Sequence, residues 1–435
     1  MKGKRDPDHT LAIVAGVRTP FCKAGTELKG ASAADLATHA FRELLDRTGI
    51  DAASFDEVIL GCGGPDAKEA NIARVAALRA GVPEHVPAVT VQRNCASGMD
   101  SIFEAELRLR AGSGSMFLVG GTESMSRFPL IMGQSLTRMF ERLAKARSIP
   151  ARLAATMSFR PSMLKPRVAL LEGLTDPVSG MLMGSTADLV ARRFSISRES
   201  QDRFALASHE RADRAQREDR FARETAPLSA PPKHKSWVAA DNGIRKGQTL
   251  EALARLRPVF DKREGDVTVG NSCQVTDGAV ALIVAAESRA RALGLPILAT
   301  IRGQGRAGLD PATMGLGPVH ATAPALLDAG LGFDELELFE INEAFAAQVL
   351  GCLIAFASDK YCREKVGLPG ALGEIDPKRL NVNGGAIALG HPIAASGARL
   401  VLTLAHELRS QGKRYGLATM CIGGGQGQAV VLEAA

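Results

Sequence analysis

Two stretches of this chain echo one another, and the echo limits the folds open to it more than any other feature. The first runs through Leu44-Leu45-Asp46, Gly49-Ile50 and Phe55-Asp56-Glu57-Val58-Ile59-Leu60. The second runs through Leu326-Leu327-Asp328, Gly330-Leu331 and Phe333-Asp334-Glu335-Leu336-Glu337-Leu338. Each reads as the end of a helix, a glycine turn and an apolar strand. A further pair appears in the same order. Ala96-Ser97-Gly98 opens a helical stretch to Arg110, followed by Gly112, a strand from Met116 to Val119 and Gly120-Gly121-Thr122. Ala395-Ser396-Gly397 opens another to Arg409, followed by Gly412, a strand from Tyr415 to Met420 and Gly423-Gly424-Gly425. An α/β chain repeats one such unit by chance; two in one order favour duplication. The expectation is an α/β protein with halves at 1–290 and 291–435 and a site between them, near strand ends.

One segment breaks the rhythm. Residues 128–182 carry Met, Pro and Arg instead of alternating strand and helix patterns, and are read as an inserted loop domain covering the site or facing a partner. The formal net charge is +6, and residues 138–167 hold eight basic side chains against Glu141 alone, so this segment accounts for the whole excess. Arg138, Arg142 and Lys145 fall at helical spacing with Leu136, Met139, Phe140 and Leu143 between them, the pattern of an amphipathic helix. Beyond it, Thr186-Ala187-Asp188 and Ser197-Arg198-Glu199-Ser200-Gln201-Asp202 look like starts of exposed helices.

No stretch has the 18 or more consecutive apolar residues of a spanning helix. The opening Met1-Lys2-Gly3-Lys4-Arg5-Asp6-Pro7-Asp8 lacks the apolar core of a signal peptide. Seven cysteines are scattered, odd in number and without a CxxC, which argues against both a disulfide framework and a zinc site. The chain reads as a soluble, cytoplasmic protein of a reducing compartment.

Four places carry chemistry. Cys95, in Arg93-Asn94-Cys95-Ala96-Ser97-Gly98, stands between an apolar segment and a helix start, where the macrodipole favours a thiolate. A buried structural cysteine is the rival reading. His391 lies in Asn383-Gly384-Gly385-Ala386-Ile387-Ala388-Leu389-Gly390-His391-Pro392, a loop just ahead of the second Ala-Ser-Gly. Cys421 opens Cys421-Ile422-Gly423-Gly424-Gly425-Gln426-Gly427. These glycines match neither GxGxxG nor a P-loop, but could turn backbone N–H groups toward an oxyanion. Asn342-Glu343-Ala344-Phe345-Ala346 follows an apolar strand, with a helix-capping pair as the plain alternative.

Taken together, these four motifs resemble the thiolase family. So do Gly16-Val17-Arg18-Thr19-Pro20-Phe21 and Gly120-Gly121-Thr122-Glu123-Ser124-Met125, and the resemblance spans roughly residues 10 to 433 in the family's order. It implies a five-layered αβαβα thiolase fold built from two duplicated halves. The implied activity is acyl transfer: CoA-dependent cleavage of a 3-oxoacyl-CoA and the reverse Claisen condensation. Cys95 would take the acyl group, and His391 would activate it. Asn342, through a water, would join His391 in binding the enolate oxygen. Cys421 would shuttle the α-proton, and the backbone N–H groups of Cys95 and Gly423 would hold the tetrahedral oxyanion. CoA would be substrate, with no metal and no bound redox cofactor, and the protein would be a homo-oligomer, dimer or tetramer.

Some features within the family pull in different directions. The long insertion and the segment 358–380 resemble the thiolase subunit of the fatty-acid β-oxidation complex, which implies a hydratase/dehydrogenase partner subunit and membrane association. Residues 381–427 and Asn342 are more similar to short-chain acetoacetyl-CoA thiolases. Where many relatives have Asn-Ala-Ser-Gly, this chain has Asn271-Ser272-Cys273-Gln274, so Cys273, with Ser272, stands at the pantetheine contact. Met314 matches an apolar wall of the acyl pocket, with core packing as its alternative. The basic insertion, through residues 138–167, has three readings: attraction of CoA phosphates, contact with an anionic membrane, or docking of a partner subunit. Nucleic acid is not among the expected partners. The rival functions are a condensing enzyme of ketoacyl-synthase type, which would not need Cys421, and a non-catalytic lipid carrier on the same fold.

Overall fold

The computed structural model describes residues 6–230 and 236–435; the charged opening Met1–Arg5 lies outside the described residues. The first half runs β1 (Leu11–Arg18), α1 (Ala33–Thr48), β2 (Glu57–Gly61), α2 (Ile72–Ala80), β3 (Ala88–Val91), α3 (Ser97–Arg110) and β4 (Met116–Ser124). The insertion contributes α4 (Gln134–Lys145) and α5 (Ile149–Met157), then come α6 (Met183–Arg193), α7 (Arg198–Arg217) and β5 (Thr276–Ala286). The second half runs β6 (Ala299–Gly308), α8 (Gly317–Ala329), β7 (Leu338–Ile341), α9 (Ala346–Phe356), α10 (Ser396–Ser410), β8 (Tyr415–Ile422) and β9 (Gln426–Ala434).

The strands form one hydrogen-bonded series, β7-β8-β9-β6-β1-β5-β4-β2-β3, with the short strand Cys22–Lys23 added on β5. Read outward from its centre, each half repeats the other. In the first, β1 is antiparallel to β5 and β5 to β4, while β4, β2 and β3 run parallel. In the second, β6 is antiparallel to β9 and β9 to β8, β8 is parallel to β7, and a parallel bridge from Phe339 to Leu380 occupies the place of β3. Along the sheet, β1 and β6 join the two half-sheets through the pairs Ala12 with Thr300 and Ile13 with Ala299.

Strand alternation then sets the layers, because successive side chains point to opposite faces. On β5, Val280, Leu282 and Val284 turn toward α3 and α10, while Ala279, Ala281 and Ile283 turn toward α1 and α2. On β9, Val430 and Leu432 join the same central cluster, while Ala429 and Val431 pack with α8 and α9. Helices, half-sheet, two central helices, half-sheet, helices: these are the five layers.

The Ala-Ser-Gly echo marks where the central helices cross. A Cβ on Gly98 would stand 2.5 Å from the Ala394 carbonyl oxygen, and one on Gly397 would stand 2.8 Å from the Met99 backbone nitrogen. Neither contact leaves room for a side chain, so glycine there allows the close approach. Gly121, in the Gly-Gly-Thr motif, receives Ala394 on its other side, at 2.0 Å from a built Cβ. The loop carrying His391 is thus seated in the first half by two glycines.

Smaller expectations shift. Ser197 does cap α7, its hydroxyl accepting the Ser200 N–H at 3.2 Å, but Thr186 lies inside α6 and not at its start. The insertion is not devoid of secondary structure: it has short helices and a two-stranded ribbon pairing Leu130–Ile131 with Arg167–Val168.

Candidate active site

Between β3 and α3 the chain makes a tight turn. Asn94 sits at its apex with φ 44, in the left-handed region that Asn tolerates better than most residues. The Ser97 hydroxyl locks the turn, accepting the Arg93 N–H at 2.8 Å and donating to the Asn94 carbonyl at 2.7 Å. Cys95 follows, half-buried, directly ahead of the first helical turn. The expected gain in thiolate does not prevail. Burial pushes the Cys95 thiol up, and the backbone N–H groups of Gly423 and of Cys95 itself, which act on the sulfur, offset this only in part. At neutral pH Cys95 is a thiol that needs a base.

His391 is buried and is held by backbone as well as side chain. Its N–H faces the Gln274 carbonyl and the Thr276 hydroxyl, each at 3.2 Å. Burial, with a smaller contribution from the Arg399 charge, lowers the His391 pKa to about 4, so the ring is uncharged at neutral pH. Ser396 Oγ lies 2.5 Å from Nδ1 and donates to the Pro392 carbonyl at 3.0 Å.

Asn342 is not a cap: α9 begins at Ala346, after Phe345. It directly follows β7, with its N–H on the carbonyl of Thr419 at 3.0 Å, two residues before Cys421. Its side chain is wholly buried, and neither Oδ1 nor Nδ2 has a hydrogen-bond partner among the described residues. An unpaired buried amide costs about 1–3 kcal/mol, which fits a group kept for a bound water or a ligand oxygen. Glu343 has a different task. Its carboxylate accepts from Ser208 Oγ (2.6 Å), Asn381 Nδ2 (2.8 Å) and the Ile387 N–H (3.2 Å), pinning the loop that leads to His391.

The remaining candidates gather around Cys421. Burial raises the Cys421 pKa well above its ordinary value, and charge on Cys95, Cys352 or Cys273 would raise it further. Cys273 is pushed up to about 12, first by burial and then by Cys95. Cys95, Cys273 and Cys421 are therefore close enough to feel one another's charge. Met314 is buried in the same apolar cluster as Cys421, together with Ala344 and Phe345. Ser272 differs: its hydroxyl donates to the Thr268 carbonyl at 2.6 Å, so its proton is committed inside its own loop.

Three supporting residues escaped the sequence reading. Met183, at the start of α6, brings its sulfur to 3.3 Å from a Cβ built on Gly423. Gln274 donates to the Gly243 carbonyl at 2.9 Å while its own carbonyl takes the His391 N–H. Ser396 was visible only as a helix opener; no spacing rule links a serine to a histidine five residues earlier across a proline turn.

The buried Arg18 of the Gly-Val-Arg-Thr-Pro-Phe motif supports this region from behind. It donates two bonds to Asp241 (2.7 and 2.8 Å) and one to Glu224 (2.6 Å), anchoring the segment that presents Gly243 to Gln274.

Comparison with known proteins decides the family. The model described as "Thiolase, N-terminal domain" matches residues 11–288, and "Thiolase, C-terminal domain" matches residues 295–434. The chain belongs to the thiolase family. This thiolase is 39% identical over 426 residues to a protein named 3-ketoacyl-CoA thiolase from Serratia proteamaculans, covering 97% of this chain and 96% of the relative. A protein of the same name from Yersinia pestis is also 39% identical, over 424 residues, with 97% and 96% covered. Among solved structures, Bacillus anthracis acetyl-CoA acetyltransferase superposes with a TM-score of 0.84 at 34% identity, covering 98% of this chain and 99% of that one. Human mitochondrial 3-ketoacyl-CoA thiolase in complex with CoA gives 0.83 at 35% identity, with 98% of each chain covered. The thiolase reaction, thiolytic cleavage of a 3-oxoacyl-CoA and the reverse Claisen condensation, is the activity of this chain.

Proposed function

We propose that Cys95, His391, Cys421 and Asn342 carry that reaction, with the backbone N–H groups of Cys95 and Gly423 as oxyanion donors. One observation supports the assignment most directly: Asn94 Nδ2 donates to the Gly423 carbonyl at 2.9 Å, which sets the Gly423 peptide of one half against the Cys95 turn of the other, where a tetrahedral oxygen would form.

In the cleavage direction, the Cys95 thiol passes its proton to His391 Nε2 as the sulfur attacks the 3-oxo carbon. The carbonyl electron pair moves to oxygen, between the two N–H donors. As the carbonyl re-forms, the bond between C2 and C3 breaks and its pair passes into the acetyl-CoA enolate. The enolate oxygen is met by protonated His391 and a water on Asn342, and Cys421 gives its proton to C2. CoA then loses its thiol proton to Cys421 and attacks the Cys95 thioester, and Cys95 leaves and recovers the proton from His391. Two thiols divide the work that one could not do alone.

Cys273 and Met314 are assigned to the substrate, at the pantetheine arm and the acyl chain respectively; Ser272 contributes by shaping their loop and through its hydroxyl lone pairs. Residues 1–290 and 291–435 serve as the two halves, with 128–182 inserted. Association into a dimer or tetramer is supported by β3, an edge strand with half-exposed side chains next to the nucleophile turn. The insertion bears more than half of the exposed large apolar side chains among the described residues, including Ile149, Leu153 and Met157. Of its basic residues only Arg167 forms a described ion pair, with Glu172. An apolar face ringed by free cations suits a hydratase/dehydrogenase subunit or an anionic membrane surface better than bare solvent. Among the described residues no helix is long and apolar enough to cross a membrane. A cytoplasmic setting, peripheral to the membrane, is part of this proposal.

The experiment is CoA-dependent loss of 3-oxoacyl-CoA absorbance, with acetoacetyl-CoA and a long-chain substrate side by side and Cys95→Ala as control. Loss that vanishes in the variant supports the assignment, and the ratio of the two rates gives the chain-length preference. Loss that persists in Cys95→Ala sinks it.

A further inference from the structure

Cys95 and Gly423 belong to different halves of the chain, so the separation of their N–H groups depends on how two turns are tied to each other. Donors must stand about 2.7–3.1 Å from the oxyanion to act, which leaves little tolerance. The Gly423-Gly424-Gly425 turn has no side chain to fix itself, and Gly424 and Gly425 both take positive φ, 92 and 78. Something outside the turn has to hold it.

Asn94 does so directly: its Nδ2 donates to the Gly423 carbonyl at 2.9 Å. The same residue supplies the left-handed apex on which the Cys95 turn is built. A second tie lies one residue earlier. Arg93 Nη1 donates to Gln426 Oε1 at 3.1 Å, just past the glycine turn, and its Nε is 2.9 Å from Asp100 Oδ1. Asp100, in the first turn of α3, also takes Arg306 at 2.8 Å and Gln428 at 3.1 Å from strands of the other half. The Arg93–Asp100 network brings the two halves into register, and Asn94 makes the last adjustment at the reacting atoms.

We propose that Asn94 is a positioning residue for acyl transfer, holding the Gly423 peptide so that its N–H and that of Cys95 converge on one oxygen. This rests on the assignment of those two N–H groups as oxyanion donors. Asn94 acts through Gly423, whose carbonyl its amide holds.

Two variants separate its roles. Asn94→Gly keeps the left-handed backbone and removes the amide. Asn94→Asp keeps the shape and sets a carboxylate against the Gly423 carbonyl. With loss of one oxyanion donor costing about a hundredfold to a thousandfold, a misaligned donor in Asn94→Gly is expected to lower kcat about tenfold to a hundredfold. Asn94→Asp is expected to lose more, while KM changes by less than about threefold in either, since binding is not what the bond supplies. Because the Gly423 N–H also favours the Cys95 thiolate, the pH profile of Cys95 alkylation by iodoacetamide should move upward in both variants; a purely structural residue would leave it in place. Wild-type kcat and an unmoved alkylation profile in folded Asn94→Gly would overturn the proposal. Activity surviving in Cys95→Ala would instead refute the underlying assignment, so the two failures are distinguishable.

Discussion

Ser396 holds Nδ1 of His391, which leaves Nε2 as the ring nitrogen to act as base. Its Oγ lies 2.5 Å from His391 Nδ1 and 3.0 Å from the Pro392 carbonyl, tying the ring to the turn that carries it. A hydroxyl that donates to that carbonyl accepts from Nδ1–H, the tautomer in which Nε2 takes a proton from a thiol, as the proposed mechanism requires.

The expected consequence is that Ser396→Ala frees the ring to adopt the wrong tautomer. Since a positioned general base supplies about a hundredfold to ten-thousandfold, losing part of that control should lower kcat about tenfold to a hundredfold. Steady-state kinetics check this. Ser396→Thr, which keeps the hydroxyl, should recover most of the loss.

Cys421 and Cys95 should fail in different ways. In Cys421→Ala the nucleophile and its base remain, so the Cys95 acyl-enzyme should still form from acyl-CoA, while deuterium uptake at C2 of acetyl-CoA should fall by at least about a hundredfold. Cys95→Ala should lose the acyl-enzyme altogether. Mass spectrometry of the acyl-enzyme and of the deuterated product distinguishes the two.

The pH dependence follows from burial. With the His391 pKa lowered to about 4, the acid limb of kcat/KM should lie near there and not at 6.5, the ordinary histidine value. Stability should show the same group. Between 6.5 and about 4 the unfolded chain takes up a proton that the folded one refuses, so His391 makes the fold less stable as pH falls through that window. The full effect is on the order of 3 kcal/mol, measurable by urea unfolding of wild type against His391→Asn across that range.

Arg18 should prove essential to the fold and only indirectly to chemistry. Arg18→Leu would leave Asp241 and Glu224 buried without their cation, at an expected cost of about 3–5 kcal/mol. Thermal denaturation measures it.

The insertion should govern association. Exchanging Arg138, Arg142 and Lys145 for Gln is expected to abolish pelleting with anionic vesicles and leave turnover of soluble substrate within about twofold, because these side chains lie on an exposed helix. Undiminished pelleting would rule out the membrane version and leave the partner subunit.

Much of this was legible beforehand because it is written locally. The two echoes, the strand-to-helix setting of Cys95 and the glycine-rich approaches to His391 and Cys421 are short-range patterns, and the duplicated strand order reproduces the echoes half for half. The amphipathic reading of α4 held only partly: Leu136 and Met139 are buried, whereas Phe140 is exposed. Periodicity assigns a face to a helix but not the width of what covers it.

By itself, then, the sequence determined the family and the repeated α/β architecture and singled out the side chains proposed to react, since these depend on residue types at fixed short spacings. Tertiary structure alone decided their states. Burial reversed the expected ease of ionising Cys95, Ser396 took up Nδ1 of His391, Glu343 became an anchor and not a cap, and Asn94 reached a carbonyl in the other half. Desolvation and hydrogen bonds between residues hundreds of positions apart depend on how the half-sheets close on α3 and α10, and no local pattern encodes that distance.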